Sequence, residues 1–182
     1  MLLNDEPPAA GFDQPFALLL GCHGRIERMD RLLVRLLAHV RQRGCNVEAR
    51  QAATKVLRYF DIAAPLHHED EELHVFPLLR ERGGSGFVEL LDGLEADHRE
   101  LATLWQTLRP WLEQAEVGTA TAADPAVADA ATRFGALHAT HIALENTRIF
   151  PAAEAIADAD WRLAMGRDMA ARRGVTWTPD AG

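Results

Sequence analysis

The sequence has few of the residues that mark secreted, β-rich or nucleic-acid-binding proteins. Its 182 residues include only two cysteines, Cys22 and Cys45, which are too few for a disulfide framework and are predicted to remain thiols. Aromatic residues make up only 7% of the chain, and the runs of β-branched residues typical of strands are missing. Asp and Glu outnumber Lys and Arg by 27 to 19, so the net charge of −8 disfavours nucleic-acid binding.

Long apolar segments are also missing from the sequence. No apolar run approaches the ~20 residues that a membrane-spanning helix needs. The first residues, Met-Leu-Leu-Asn-Asp-Glu, lack the basic start and apolar core of a signal peptide. We therefore expect a cytoplasmic protein that has neither a membrane nor a nucleic acid as its partner.

Helix-forming residues dominate what is present, and turn-forming residues divide the chain into long helical segments. Asp13 is a predicted N-cap before Pro15, and Asp124 is another before Pro125. Pro65 lies within a segment and predicts a bend or an earlier break. The predicted helices cover residues 13–43, 47–81, 86–115 and 124–157, with a short fifth helix over 159–173.

Short connections between long helices predict antiparallel neighbours, and therefore an all-α, up-down-up-down four-helix bundle. The length fits one domain over residues 1–182. Within it we expect a loose arm over residues 1–12, the bundle over 13–157, and a C-terminal helix and tail over 158–182. The pair Arg172-Arg173 is too short for a basic patch and predicts a solvated tail.

Histidine and glutamate occupy positions of the helical stripes where apolar residues are expected. Spacings of three and four place them on the inward face of each of the four long helices. Buried ionisable groups cost several kcal/mol unless they are paired or bind a cation, so a set of them at matching depth predicts a metal site. The residues are His23, His67, Glu71, His74, His98, His138, His141 and Glu145.

Most of these residues belong to a degenerate twofold repeat. Two helical hairpins related by a pseudo-twofold axis would bring matching ligand sets face to face, as a two-metal centre with bridging carboxylates requires. Imidazole and carboxylate favour iron, manganese or zinc. The pairs 74 residues apart are His67 and His141, Glu71 and Glu145, Phe76 and Phe150, and Pro77 and Pro151, while His23 and His98 are 75 apart.

These motifs resemble the hemerythrin-like HHE cation-binding family. The resemblance covers about residues 16–151 and includes His23, His67-x-x-x-Glu71, His98, His141-x-x-x-Glu145, the Phe-Pro after each pair, and the run Leu-His-His-Glu-Asp-Glu-Glu-Leu over residues 66–73. It implies a four-helix bundle around a non-haem di-iron site, with manganese or zinc as alternatives. By this resemblance, Glu71 and Glu145 bridge the ions, His23 and His67 bind one iron, and His98 and His141 bind the other.

The third helix departs from the oxygen-carrying members of the family. Those members have a fifth histidine four residues from the one on the third helix, whereas Leu94 and Ala102 flank His98 here. Either water fills the extra position, or a residue of another helix does, with His74, His138 and Glu27 as candidates. His68 and Glu72 also form His-x-x-x-Glu one residue along, but a one-residue shift rotates by ~100° away from the site.

Three functions follow from such a site. The first is reversible binding or sensing of oxygen, nitric oxide or a related small ligand, which the imidazole-rich ligand set favours. The second is reduction of peroxide or nitric oxide by an enzyme, which the missing fifth histidine favours. The third is an iron-handling or signalling module whose partner reads the metal-dependent order of the bundle.

Overall fold

Helices fill most of the chain in the computed structural model, which describes residues 11–178. We number them α1 (Pro15–Arg43), α2 (residues 47–82), α3 (Val88–Val117), α4 (residues 125–156) and α5 (Ala159–Arg172). A short 3₁₀ turn, Ser85–Phe87, leads into α3, and this part of the chain contains no strand. None of these helices is long and apolar enough to cross a bilayer.

Three of the five helices begin where a short polar side chain satisfies one of the first amides. Asn46, Asp124 and Asp158 accept hydrogen bonds from the amides of Ala49, Val127 and Trp161, respectively. The start of α1 differs from the prediction, because Gln14 rather than Asp13 is the capping residue and its side chain makes no cap. The reason is Pro15, whose fixed φ suits the first helical position and places the preceding residue at the cap.

The four long helices form the predicted up-down-up-down bundle. Each packs against its two neighbours, with α1 against α2 and α4, and α3 also against α2 and α4. The short α5 packs across one end, against α1 and the middle of α2. The first ten residues of the predicted arm and the last four residues of the tail lie outside the described residues.

Two apolar clusters fill the bundle and leave a polar layer between them. One cluster lies towards the C-terminal end of α1 and contains Ile26, Phe60 and Leu101. The other lies towards the end that α5 covers and contains Leu19, Val75 and Met169. The buried histidines and glutamates occupy the layer between them, so that layer is held in place by hydrophobic packing on both sides.

Two of the long helices contain π turns, in which an amide bonds to the carbonyl five residues back. These wide turns are Tyr59–Ala63 and Glu71–Val75 in α2 and Glu145–Ile149 in α4. Each precedes a proline, at positions 65, 77 and 151, whose ring would clash with a carbonyl of a regular α-helix. The break expected near Pro65 therefore takes the form of a wide turn, and the helix continues through it.

Candidate metal centre

Six buried side chains converge in the polar layer, and they include a histidine from each long helix. Their ligand atoms fall into two groups, within each of which all atoms lie within 4.8 Å of one another. We call the group His23, His67, Glu71 and Glu145 the first half-site, and the group Glu71, His98, His141 and Glu145 the second half-site. The structure thus brings together all six residues predicted as principal ligands, and metal binding by them stays a prediction.

The two glutamates link the half-sites. Oε1 of Glu71 lies 3.1 Å from Nε2 of His67, and its Oε2 lies 3.4 Å from Nε2 of His98. Oε2 of Glu145 lies 3.1 Å from Nε2 of His23, and its Oε1 lies 3.2 Å from Nε2 of His141. Each carboxylate therefore directs one oxygen towards each half-site, which is the arrangement of a bridging ligand.

Several of the candidate ligand atoms are buried without a hydrogen-bond partner, and such atoms show whether a cation fits the site. All four carboxylate oxygens of Glu71 and Glu145 are inaccessible to solvent and lack a correctly aligned hydrogen bond, as does Nε2 of His23. Leaving a buried polar group unpaired costs about 1–3 kcal/mol, and more when it is charged. Several such atoms directed at two common points fit a pair of cations.

The charges of the centre favour a cation as well. Burial alone would lower the pKa of His23, but the carboxylates of Glu145 and Glu71 outweigh it and raise that pKa to about 10. Burial likewise opposes a raised pKa at His98, which Glu71 and Glu72 nevertheless raise to about 9. His67 differs, because burial and the neighbouring imidazoles hold its pKa well below the usual value. Two buried carboxylates thus create a negative field that attracts positive charge.

Three of the four imidazoles are oriented through their other nitrogen. Nδ1 of His23 lies 2.7 Å from Oδ1 of Asn146, and Nδ1 of His98 lies 2.7 Å from Oε1 of Glu72. Nδ1 of His141 lies 3.3 Å from a carboxylate oxygen of Asp97. Such partners fix the ring and the tautomer of metal-binding histidines. Nδ1 of His67 differs, because it is buried without a hydrogen-bond partner.

Sequence reasoning missed these orienting residues, although the repeat contained a signal for two of them. Glu72 and Asn146 follow Glu71 and Glu145, so they are also 74 residues apart. Each contacts the histidine of a neighbouring helix rather than one on its own helix. From the sequence alone, Glu72 is expected on a solvated acidic face, and it belongs otherwise only to the disfavoured His-x-x-x-Glu register one residue along. The structure places His67 and Glu71 in the centre, with His68 stacked on His98 at a ring distance of 4.0 Å.

The structure places the two less certain ligand candidates, His74 and His138, outside both half-sites. The wide turn Glu71–Val75 holds one extra residue, which rotates His74 away from the centre towards Asp168 of α5, 2.7 Å away. Nδ1 of His138 lies 3.0 Å from a carboxylate oxygen of Asp30. Neither residue fills the position of the fifth histidine.

Glu27, the third candidate for that position, is also outside the half-sites. Its carboxylate lies on the surface of α1, 3.6 Å from the guanidinium of Arg31. Within the described residues, each half-site therefore offers four candidate ligands, and water or a small ligand would supply any further ones.

A cavity of about 250 Å³ lies beside the second half-site. His98 forms part of its wall, whereas neither histidine of the first half-site does. Trp105 also lines it, and its indole N–H donates a 2.9 Å hydrogen bond to Asp61. Most of the remaining wall is apolar or aromatic, and its main side chains are Phe60, His68, Leu101, Phe134 and His138.

The C-terminal helix, α5, covers the side of α2 that carries Asp70, away from the cavity. The carboxylate of Asp70 is fully buried and accepts hydrogen bonds from Arg172 at 2.5 Å and from Arg173 at 2.6 Å. The prediction of a solvated arginine pair is therefore wrong. No local pattern indicates this contact, because Asp70 and the two arginines are about a hundred residues apart in the chain.

Comparison with known proteins agrees with this description. The model of the hemerythrin HHE cation-binding domain matches residues 14–153 of the chain. The chain is also 32% identical over 175 residues to an uncharacterized protein of Haemophilus influenzae, a match that covers 96% of this chain and 99% of the relative. The matched family residues include all of both half-sites and end before α5.

Proposed function

The chain belongs to the hemerythrin HHE cation-binding domain family, and from that membership we propose that it is a non-haem di-iron protein that binds or senses a small ligand. Each half-site would hold one iron ion through two imidazoles and one oxygen from each of Glu71 and Glu145. Two iron ions bound there would supply redox chemistry and free coordination positions. The chain's own residues determine where those positions lie and what reaches them.

The observation that carries the proposal is the orientation of the two buried carboxylates. Both are 0% exposed, and each directs one oxygen to a histidine of the first half-site and the other oxygen to a histidine of the second. A single ion would leave one pair of imidazoles without a partner. The imidazole-rich set excludes magnesium and calcium, which prefer all-oxygen sites, and favours iron, manganese or zinc.

Iron is our proposal because the ligand count leaves room for a small molecule. Each half-site offers four protein atoms, whereas iron in His and carboxylate sites commonly takes five or six ligands. The cavity borders His98 of the second half-site and neither histidine of the first, so we expect a small molecule to reach the second half-site. Its mostly apolar wall suits a small uncharged ligand such as oxygen, nitric oxide or hydrogen peroxide.

Turnover of peroxide or nitric oxide is the second candidate function. The observation that favours it is the third helix, where Leu94 and Ala102 stand on either side of the only histidine. The second half-site consequently has fewer imidazoles than an oxygen-carrying centre and more positions for a reacting ligand. A metal-dependent signalling module is the third function, for which no contact of the described residues speaks directly.

Elemental analysis of protein purified without added metal tests the di-iron proposal. We expect two iron ions per chain, and one ion or none would contradict it. A metal at 100 times its Kd stabilises the native state by about 2.7 kcal/mol. For a chain of this size that corresponds to roughly 5–11 °C in Tm. Removal of the metal by a chelator should therefore lower Tm, and an unchanged Tm in protein shown to be metal-free would count against the centre.

Visible absorption of the reduced protein distinguishes the candidate functions. The protein is reduced without oxygen and then mixed with oxygen, nitric oxide or peroxide in separate samples. A spectral change that reverses when the ligand is removed supports binding or sensing. Repeated consumption of peroxide or nitric oxide supports an enzyme, and the absence of both responses leaves the signalling module.

A further inference from the structure

The C-terminal helix makes an unusual contact with the helix that carries two of the proposed ligands. Asp70 lies one helical turn after His67 and directly before Glu71. Its side chain is 0% exposed, whereas the side chains of Arg172 and Arg173 are 18% and 19% exposed. We call these three residues the C-terminal clamp.

The geometry of the C-terminal clamp is that of a rigid recognition site. The guanidinium of Arg173 contacts both oxygens of Asp70, at 3.2 and 2.6 Å, and also donates to the carbonyl of Met169. Arg172 donates to the first oxygen of Asp70 at 2.5 Å and to Asp168 at 2.8 Å. Paired, two-pronged contacts of this kind fix orientation as well as distance, because the guanidinium is planar.

Asp168, on the same surface of α5, also contacts the turn of α2 that follows Asp70. Oδ2 of Asp168 lies 2.7 Å from Nε2 of His74, which the wide turn has rotated towards α5. The contacts therefore span both ends of the segment 70–74, which begins beside Glu71. The helix itself is firmly seated, since Met165 and Met169 are fully buried and Gly166 permits close approach of the Phe12 carbonyl.

His67 is the ligand that most needs external support. The other three imidazoles each have a partner on Nδ1, whereas Nδ1 of His67 is buried and unpartnered. Its orientation consequently depends on packing and on the backbone that carries it.

We propose that Arg172 and Arg173 act through Asp70 as positioning residues for the first half-site, so that α5 docking and metal binding there stabilise each other. The inference rests on the proposed metal centre and adds a helix that lies beyond the matched residues 14–153. The second half-site shares Glu71 and Glu72 with the segment 70–74, but Asp97 of α3 orients its His141, so we expect it to depend less on α5.

The test compares two variants of the full chain that both weaken α5 docking. The first replaces Arg172 and Arg173 by alanine and removes the C-terminal clamp. The control, Arg82→Ala, removes the 2.8 Å ion pair between α2 and Asp158, at the start of α5 and away from the centre. Metal-free protein is titrated with Co²⁺, whose visible spectrum reports ligand geometry, and the two binding constants are compared with those of the natural chain.

We expect the double variant to bind one of its two Co²⁺ ions roughly 10–100 times more weakly, in the range known for residues that orient ligands. The absorption band of that ion should change, while the second binding constant should fall by a clearly smaller factor. Arg82→Ala should lower Tm and leave both constants and both bands unchanged. An equal effect of the two variants, or unchanged binding by the double variant, would overturn the inference.

A second variant, Asp70→Asn, tests the same contact if the double variant does not fold. It retains the size of the side chain and removes the charge that the arginines recognise, so it should give the same selective loss in milder form. Unaltered binding constants in this folded variant would again overturn the inference. If the natural chain itself binds fewer than two Co²⁺ ions, the proposed metal centre fails first, and that outcome is distinguishable from failure of the C-terminal clamp alone.

Discussion

The two half-sites share both carboxylates but have different surroundings. The first half-site lies on the side of α2 that α5 covers, and one of its two imidazoles has no orienting partner. The second has a carboxylate behind each imidazole and borders a cavity of about 250 Å³. A sequence repeat can thus give two similar ligand sets whose surroundings differ, one lying beside α5 and the other beside a cavity.

Replacing Glu71 by alanine should impair both half-sites together, because this carboxylate belongs to both of them. We expect both affinities to fall by more than the roughly 10–100-fold typical of a lost orienting residue. Metal content after gel filtration measures the effect. His67→Ala is the control, since it should empty only the first half-site, and a Glu71→Ala protein that retains both ions would show that the bridge lies elsewhere.

Replacing the orienting residues one at a time should show whether the two half-sites depend on different partners. Glu72→Gln removes the charge behind His98, and Asn146→Ala, at the equivalent position of the repeat, removes the partner of His23. Each variant should lower the binding affinity for one ion by about tenfold and leave the affinity for the other unchanged. Competition with a chelator of known affinity gives both constants. Loss of the same ion in both variants would contradict the assignment of one orienting residue to each half-site.

Filling the cavity should leave metal binding unaltered and change only the rate at which the small ligand binds. Ala102→Phe places a ring in the cavity wall, and we expect ligand binding to slow by about tenfold with the metal content unchanged. Stopped-flow mixing of the reduced protein with oxygen or nitric oxide measures this rate. Ala96→Phe, an exposed position on the same helix, is the matched control. Equal rates in both variants would mean that the ligand arrives by another route.

The bundle and the convergence of six side chains could be predicted because both follow from helical spacing. Residues such as His67 and Glu71 lie four apart on one face, and their counterparts recur 74 residues later. The turn of His74 away from the centre could not be predicted, because spacing arguments assume a regular helix and a π turn adds a residue. The Phe-Pro after each ligand pair was visible, but its effect on helix geometry was not.

Contacts between distant parts of the chain were the other source of error. Arg172 and Arg173 look like exposed residues until Asp70 is known to face them. His68 was considered only as an alternative ligand, yet it stacks on His98 and lines the cavity. Such roles depend on which helices become neighbours and on their relative rotation, which local periodicity does not determine.

The wide turns have a mechanical consequence. Glu71 and Glu145 each begin a segment in which the regular bonding of the helix is interrupted and a proline then removes one amide donor. Helix kinks occur at π turns and prolines, so we expect these segments to be among the places where α2 and α4 bend. Ions bound between the two glutamates would link α2 and α4 at these segments. The stiffness of the bundle would then depend on whether the centre is filled.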